Sequence, residues 1–226
     1  MEAFNDWLTD LSRISAIAGI LYYLFTKLKV NQVASGLFLI LFASFLADTL
    51  NYFFIRLVYP NSFIIGNCWL IINFFLVLWT FKKVINIPKT LLTGLVAGFV
   101  LGASISFIFF YSFTESNTFV FLWSNISFII LSLYLHFQLL KRPGEKLKYH
   151  PVFWIATSFF VYYSMLFLQN IFNNYLVFDL QISSEAYTIV WIINLIANVG
   201  KNFILFYALV LIDKGYPDTL KPAEAA

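Results

Sequence analysis

Charged residues are scarce in this chain. Only 11% of its 226 residues are Asp, Glu, Lys or Arg, while 61% are apolar. A soluble domain usually carries about 25% charged residues, so this balance excludes an ordinary soluble globular protein. The apolar surface must instead face a lipid bilayer, which we take as the chain's first partner.

Cysteine and catalytic motifs are also missing. The single cysteine, Cys68, excludes a disulfide framework and a cluster of metal-binding thiolates. The two histidines, His136 and His150, have no acidic neighbour at a metal-ligand spacing. The sequence contains no GxSxG or HExxH motif and no phosphate-binding glycine loop. We therefore predict that the protein is not an enzyme and holds no metal.

What the chain does contain is seven long apolar segments separated by short polar connections. They cover residues 9–26, 32–58, 62–81, 90–113, 117–140, 151–178 and 186–212. Each reaches or approaches the ~20 residues that a helix needs to cross a bilayer. No proline falls at the centre of a segment, which argues against the broken helices of many secondary transporters. The prediction is an all-α membrane protein: a single seven-helix transmembrane domain over residues 1–226.

The positions of the cations predict the orientation of this bundle. Eleven of the fourteen Lys and Arg residues follow the first, third, fifth and seventh segments, and the other three connections carry none. Basic connections stay on the cytoplasmic side, so we expect the N-terminus outside and the C-terminus in the cytoplasm. Because topology accounts for the net charge of +3, we predict no nucleic-acid partner.

Small residues recur at every fourth position of the fourth segment, at Gly94, Gly98, Gly102 and Ser106. Such a strip is flat and lets another helix approach closely. Two readings follow: packing against a neighbouring helix of the same chain, or the seam of a homodimer. Residues 15 and 19 of the first segment, a serine and a glycine, make a weaker strip of the same kind.

Two charged residues lie well inside the predicted membrane: Asp48 in the second segment and Lys201 in the seventh. Such residues face the bundle interior or water because a charge facing lipid is costly. Helical spacing aligns further polar residues with them or on neighbouring segments. In segment order these are Ser44, Asn51, Tyr52 and Arg56; Asn125, Ser132 and His136; Ser158, Tyr162, Gln169 and Asn173; and Trp191, Asn194, Asn198 and Asn202. We predict a polar interior between the second, fifth, sixth and seventh helices.

Depth suggests that the two charges meet. At 1.5 Å per residue, Asp48 lies about 16 Å and Lys201 about 22 Å from the outer ends of their segments. A lysine side chain spans that difference, so we predict an Asp48–Lys201 ion pair, bridged by Asn51 or Asn198. The pair either fixes only the register of the helices or lines a pocket for a ligand or ion.

The position of Lys201 in the chain also resembles that of a residue in a known protein family. A lysine deep in the seventh helix of an N-out bundle resembles the retinal-binding lysine of microbial rhodopsins, and this resemblance implies retinal as a Schiff base on Lys201. The pattern departs at position 197, which is alanine where those proteins carry aspartate, and the third segment has no carboxylate. We keep retinal as an alternative and otherwise predict no cofactor.

A second resemblance rests on Tyr149-His-Pro-Val-Phe-Trp154 followed by Phe159-Phe-Val-Tyr-Tyr-Ser164, together with the Phe, Ile, Asn and Tyr bias of the chain. These features are similar to uncharacterised seven-transmembrane proteins of Bacteroidota-type bacteria. The resemblance implies a multi-pass protein of the bacterial inner membrane and brings no activity with it.

The leading functional prediction is a sensor or receptor-like protein that binds a small ligand inside the bundle. Its signal would reach a cytoplasmic protein partner through the basic connection after the fifth segment and the C-terminal tail. One alternative is a channel or transporter lined by Asp48 and Lys201, and another is a structural subunit. A polar track reaching both faces would favour the channel, whereas an apolar plug near Phe203–Phe206 would favour the receptor. The candidate ligand-binding or ion-pair residues are Asp48, Asn51, Tyr52, Tyr162, Trp191, Asn194, Asn198, Lys201 and Asn202.

Overall fold

Seven α-helices make up the fold in a computed structural model that describes residues 2–57, 63–110, 117–142, 146–174 and 184–220. Side chains at 2–6, 54–57, 63, 172–174 and 184–191 lie outside this description. The helices are α1 (Glu2–Phe25), α2 (Gln32–Leu57), α3 (Phe63–Val84), α4 (Lys89–Phe109), α5 (Thr118–Leu140), α6 (Pro151–Asn174) and α7 (Ser184–Asp213). Each is long and apolar enough to cross a membrane, and no strand occurs in the described ranges.

The helix bounds agree with the predicted segments except at a few ends. α1 begins at Glu2 rather than residue 9, because no glycine or proline interrupts the polar first turns. α3 continues to Val84 rather than residue 81, and places Lys82 and Lys83 in its last turn. Cations at a helix C-terminus are favoured by the helix dipole. The predicted ends at 58, 113 and 178 lie outside the described residues.

Six of the helices form a ring and α4 lies outside it. α1 packs against α2 and α7, α2 against α3, α3 against α5, α5 against α6, and α6 against α7. α4 packs mainly against α5, and only 17% of its membrane window is buried, compared with 39–50% for the other helices. The fourth helix is therefore peripheral, and the ring encloses the interior.

The half of the ring nearest the lysine-bearing connections is filled with apolar side chains. We call this half the basic end, since Lys27, Lys29, Lys82, Lys83 and Lys141 follow or end the helices there. Its fully buried side chains come from five helices and form what we call the apolar plug. The plug consists of Leu37, Leu41, Phe81, Leu135, Phe159, Leu205 and Leu209. No buried charge interrupts this part of the described interior.

Trp123 of α5 explains how α4 is held. A Cβ atom added at Gly98 would collide with the Trp123 indole, and the indole N–H donates to the carbonyl of Leu95 at 3.4 Å. Gly94, by contrast, has nothing within 4 Å of an added Cβ. Only glycine at position 98 lets the indole lie flat across α4.

The rest of the small-residue strip also faces α5. A Cβ at Gly102 would lie 2.7 Å from the Phe119 ring, and the Ser106 hydroxyl donates to the Asn117 side-chain carbonyl at 2.8 Å. Asn117 in turn caps α5 by accepting from the N–H of Val120 at 3.2 Å. Three of the four strip residues thus pack within the chain, and only Gly94 is left open.

After α7, the chain crosses the basic end instead of leaving it. The N–H of Leu220 donates to the carbonyl of Val84 at 2.7 Å, and the Arg142 guanidinium donates to the carbonyl of Leu220 at 2.6 Å. The Leu220 side chain is buried. We call residues 214–220 the C-terminal strap.

Two further contacts tie the strap to the connections between helices. The Asn31 side-chain amide donates to the Asp218 carboxylate at 2.5 Å, and the Tyr216 ring stacks on Tyr149 with centroids 5.5 Å apart. The strap therefore joins the α1–α2 and α5–α6 connections with the ends of α3 and α5. The sequence predicted a signalling surface in this tail but gave no sign that it packs against the bundle.

Replacing Arg142 by alanine is expected to loosen the strap, because the Leu220 carbonyl loses a donor that carries a full charge. Loss of one such hydrogen bond raises the equilibrium constant for local opening of the strap roughly tenfold. Tryptic cleavage after Lys214 measures it and is expected to be about tenfold faster. Lys141→Ala is the matched control, since that ammonium lies 4.3 Å over the Phe137 ring instead. Equal cleavage rates in both variants would contradict the role of Arg142.

Candidate polar cavity

A cavity of about 200 Å³ lies between α1, α2, α6 and α7, on the side of the apolar plug away from the basic end. All of its lining side chains except Leu195 carry a polar group. The lining consists of Thr9, Ser12, Arg13, Asp48, Asn51, Tyr52, Tyr162, Asn194, Leu195 and Asn198. We call it the polar cavity.

Helix geometry gives the depth of the polar cavity. Asp48 lies nine residues before Leu57, the last residue of α2, which corresponds to about 14 Å along the helix axis. Asn198 lies fourteen residues after Ser184, the first residue of α7, or about 21 Å. Most of the lining residues keep partial exposure. The cavity therefore lies well below the ends of α2 and α7 and is still partly open.

A ladder of asparagine–serine hydrogen bonds joins α7 to α1 beside the cavity. The Asn198 amide donates to the Ser12 hydroxyl at 2.8 Å, and the Asn202 amide donates to the Ser15 hydroxyl at 2.8 Å. Residues four apart on α7 thus meet residues three apart on α1, as helical spacing allows. One turn further, Gly19 lies against Leu41 and Leu209. The strip at residues 15 and 19 packs α1 closely on its neighbours.

Asp48 lies among three groups of the interior. Its carboxylate interacts with Lys201, Arg13 and the side-chain amide of Asn198. Among the described side chains, however, the one direct ion pair joins Arg13 to Asp10. The two charges interact at longer range, and the predicted Asp48–Lys201 pair bridged by Asn51 or Asn198 stays a prediction. Asn198 lies beside the carboxylate, as one of the two predicted bridging positions.

Lys201 points to an aromatic ring instead. Its ammonium lies 4.3 Å from the centroid of the Tyr162 ring, and its side chain is only 4% exposed. The residue borders a second cavity, an apolar groove of about 320 Å³ between α6 and α7 that includes Met165 and Ile196. A cation held over an aromatic face needs no carboxylate in contact, which explains the missing direct pair. Retinal on Lys201 stays a prediction.

Arg13 is the functional candidate that the sequence reading missed. Its guanidinium carbon lies 3.9 Å from the centroid of the Tyr52 ring, and it pairs with Asp10 one turn earlier. A signal was present, because Arg13 belongs to none of the four basic connections and falls inside an apolar segment. An unexplained charge in a membrane span marks a candidate site.

The fifth helix does not contribute to the polar cavity. His136 of α5 contacts the carbonyl of Ser132 at 2.8 Å and the hydroxyl of Thr157 at 3.1 Å, away from the cavity. The predicted polar interior between α2, α5, α6 and α7 is therefore divided: α1, α2, α6 and α7 line the polar cavity, whereas Asn125 and Ser132 of α5 are buried elsewhere in the bundle. The reason is that α1 lies between α2 and α7 in the ring, whereas α5 lies between α3 and α6.

Most of the predicted site residues do come together. The cavity lining includes six of the nine: Asp48, Asn51, Tyr52, Tyr162, Asn194 and Asn198. Lys201 and Asn202 lie one turn deeper, next to the groove and the serine ladder. The side chain of Trp191 lies outside the described part of the chain, as do those of Arg56 and Asn173.

Two buried oxygens in the cavity wall, Asn51 Oδ1 and Asn198 Oδ1, have no hydrogen-bond partner among the described side chains. An unpaired buried polar group costs about 1–3 kcal/mol, so native structures satisfy nearly all of them. Both oxygens belong to side chains that line the same space. They are available to donors of a small molecule in the polar cavity.

No metal site competes with this arrangement, since no three His, Cys, Asp or Glu side chains of the described residues come together. Comparison of the chain with protein-family models, with curated proteins and with solved structures gave no match. The functional argument therefore rests on the geometry of the cavity.

Proposed function

We propose that this chain is a receptor-like membrane protein that binds a small polar ligand in the polar cavity and signals to a cytoplasmic partner. The observation that carries the proposal is a polar cavity with two unpartnered amide oxygens in its wall. A pocket with a few convergent polar groups is the usual form of a small-molecule site.

The proposal includes an orientation and a compartment. Lysines gather at one end of the bundle, and basic connections stay in the cytoplasm. We place the basic end in the cytoplasm of a bacterial cell, in the inner membrane, with the polar cavity facing outward. A ligand would then reach Asp48 from outside by passing along about 14 Å of α2.

The apolar plug favours a receptor over a channel. Below the cavity, Leu41, Phe159 and Leu205 are each at most 1% exposed. An ion on this route would lose its hydration without gaining polar partners, which is costly. Within the stretch Phe203–Phe206, where a plug would favour a receptor, Leu205 is fully buried, whereas Phe203 is 49% exposed.

α7 offers a route from the cavity to the cytoplasmic side. Asn194 and Asn198 line the cavity near its start, and Asp213 at its end accepts a hydrogen bond from the Tyr22 hydroxyl at 2.8 Å. The C-terminal strap continues directly from α7. A ligand that shifts α7 along α1 would therefore change the position of the strap, where a partner can detect it.

Cysteine labelling tests the one-sided cavity. In a Cys68→Ser background, Asn51→Cys and Asn194→Cys are expected to react with a membrane-impermeant thiol reagent added outside, and not with the reagent added inside. Leu209→Cys, in the plug, is the matched control and is expected to react at least about tenfold more slowly from either side. Labelling is read by mass spectrometry.

The other outcomes separate the alternatives. Labelling of Asn51→Cys from both sides would replace the receptor by a channel or transporter. No labelling of Asn51→Cys or Asn194→Cys from either side would leave the protein without an accessible cavity, and the proposal of a ligand site would fail.

A further inference from the structure

The wall of the polar cavity carries two opposite charges. Asp48 contributes a carboxylate, which accepts hydrogen bonds, and Arg13 contributes a guanidinium, which donates them. We propose that the ligand is a compact zwitterion with one ammonium and one carboxylate group, of the class of small amino acids. This inference rests on the proposed function and narrows it to a ligand class.

Three acceptors match the three N–H donors of a primary ammonium group. Asn51 Oδ1 and Asn198 Oδ1 have no partner in the part of the chain that the structure describes, and the Asp48 carboxylate has more lone pairs than the Asn198 amide can use. Asn198 is only 8% exposed, so its oxygen is held in place by the bundle rather than by water. An ammonium in the cavity would satisfy both unpaired oxygens and the carboxylate together.

Arg13 supplies the complementary end. A guanidinium carries five N–H donors, and the structure gives Arg13 one hydrogen-bond acceptor among the described residues, Asp10. The remaining donors belong to a side chain that lines the cavity and is fixed over the Tyr52 ring. Arginine binds carboxylates through two parallel hydrogen bonds, so it suits the carboxylate of the ligand.

The balance of charge excludes ligands of a single sign. Among the described side chains, Arg13 and Lys201 are offset by Asp10 and Asp48, so these four charges balance around the cavity. A cation or an anion alone would leave a net charge in a partly desolvated site, which is costly. A zwitterion adds no net charge and places each of its charges beside an opposite one.

Volume sets the upper size of the ligand. The cavity of about 200 Å³ is smaller than the ~300 Å³ of the smallest pockets for drug-sized molecules. Leu195 is the one aliphatic residue of the lining, and the rings of Tyr52 and Tyr162 contribute the other bulky apolar surface. The ligand is therefore an amino acid with a small side chain or none.

Binding by the full chain in lipid nanodiscs tests the inference. Calorimetric titration with glycine, alanine, serine, proline and β-alanine is expected to show saturable binding of at least one of them. For that compound, the carboxamide, which is only a cation, and the N-acetyl derivative, which is only an anion, are both expected to bind at least about tenfold more weakly. Asn51→Ala is expected to weaken binding about tenfold, whereas Asn170→Ala, an asparagine of α6 outside the cavity, is expected to leave it unchanged.

Three results would overturn the zwitterion: equal binding of the carboxamide, equal binding of the N-acetyl derivative, or no binding of any of the five compounds. Each of these three results leaves the proposed function intact, provided that the cysteines introduced into the cavity are labelled from one side only. The absence of such labelling would instead remove the site itself. Loss of binding in Asn170→Ala equal to that in Asn51→Ala would assign the binding to another place and also overturn the inference.

Discussion

Replacing Asp48 by asparagine is expected to lower the free energy of unfolding by about 3 kcal/mol, and most of that loss is expected to vanish when Lys201 is replaced by methionine in the same chain. Lys201 is 4% exposed, and no described carboxylate lies within ion-pair distance of its ammonium. Without Asp48, its ammonium would be a buried charge held over the Tyr162 ring with no described counter-charge nearby.

The two single variants are expected to differ. Lys201→Met alone is expected to cost about 1 kcal/mol or less, because Asp48 keeps its interactions with Arg13 and Asn198 and borders the polar cavity. Methionine fills a similar volume and fits the apolar groove beside Met165. The asymmetry follows from burial: the lysine depends on the aspartate more than the aspartate depends on the lysine.

Unfolding in a titration with denaturing detergent measures the cycle, with Lys82→Met as the control. Lys82 is an exposed lysine at the basic end, and its replacement is expected to change the free energy of unfolding by less than about 0.5 kcal/mol. The expected coupling between Asp48 and Lys201 is about 2 kcal/mol. Additive single effects would mean that the two charges do not interact, despite sharing one interior.

The number of helices and most of their ends could be predicted because they depend on local composition. A run of about twenty apolar residues between polar connections has the length and composition of a membrane-spanning helix. Pro151 begins α6 in both the sequence reading and the structure, since proline is tolerated at the first turn of a helix. Which helices lie next to one another could not be predicted in this way, because it depends on contacts between residues far apart in sequence.

The composition of the site shows this limit most clearly. Five of the six predicted cavity residues lie on the helix faces that carry Asp48 and Lys201, and the sixth, Tyr162, belongs to the polar face predicted for α6. Ser12 and Arg13 were missed because periodicity within one segment does not reveal which other segment lies opposite. The ring places α1 between α2 and α7, so its short hydroxyls meet the asparagines of α7.

Side-chain direction was the second limit. Depth along the helix axes placed Asp48 and Lys201 within reach of each other, and the structure does bring their charges into interaction. Whether the ammonium contacts the carboxylate or the Tyr162 ring depends on the rotamer of the lysine and on what α6 presents beside it. Neither can be read from one helix alone.

The second large effect is expected at Gly98, where leucine would lower the free energy of unfolding by about 2 kcal/mol. The Trp123 indole lies across Gly98 and donates its N–H to the carbonyl of Leu95. A larger side chain pushes the indole away and breaks this contact. α4 is the least buried of the seven helices, and few other contacts hold it, chiefly the stacking of Phe99 on Phe74 and the Ser106–Asn117 hydrogen bond.

Gly94→Leu is the matched control on the same helix, since an added Cβ at Gly94 meets nothing within 4 Å. Leucine has the higher helix propensity, so this variant is expected to be neutral or to gain up to about 1 kcal/mol. Both variants are measured by detergent-induced unfolding and by counting subunits through single-molecule photobleaching. The pair thus compares the same substitution on the packed and the open part of one strip.

The same two variants separate the two readings of the strip. If it packs only against α5, Gly98→Leu destabilises the chain, and neither variant changes the number of subunits. If the strip is instead a homodimer seam, Gly94→Leu is expected to dissociate the dimer, because its exposed position would then lie against the second copy. The contacts of Gly98, Gly102 and Ser106 with α5 favour the first outcome, since residues already covered within the chain cannot also form the centre of a seam.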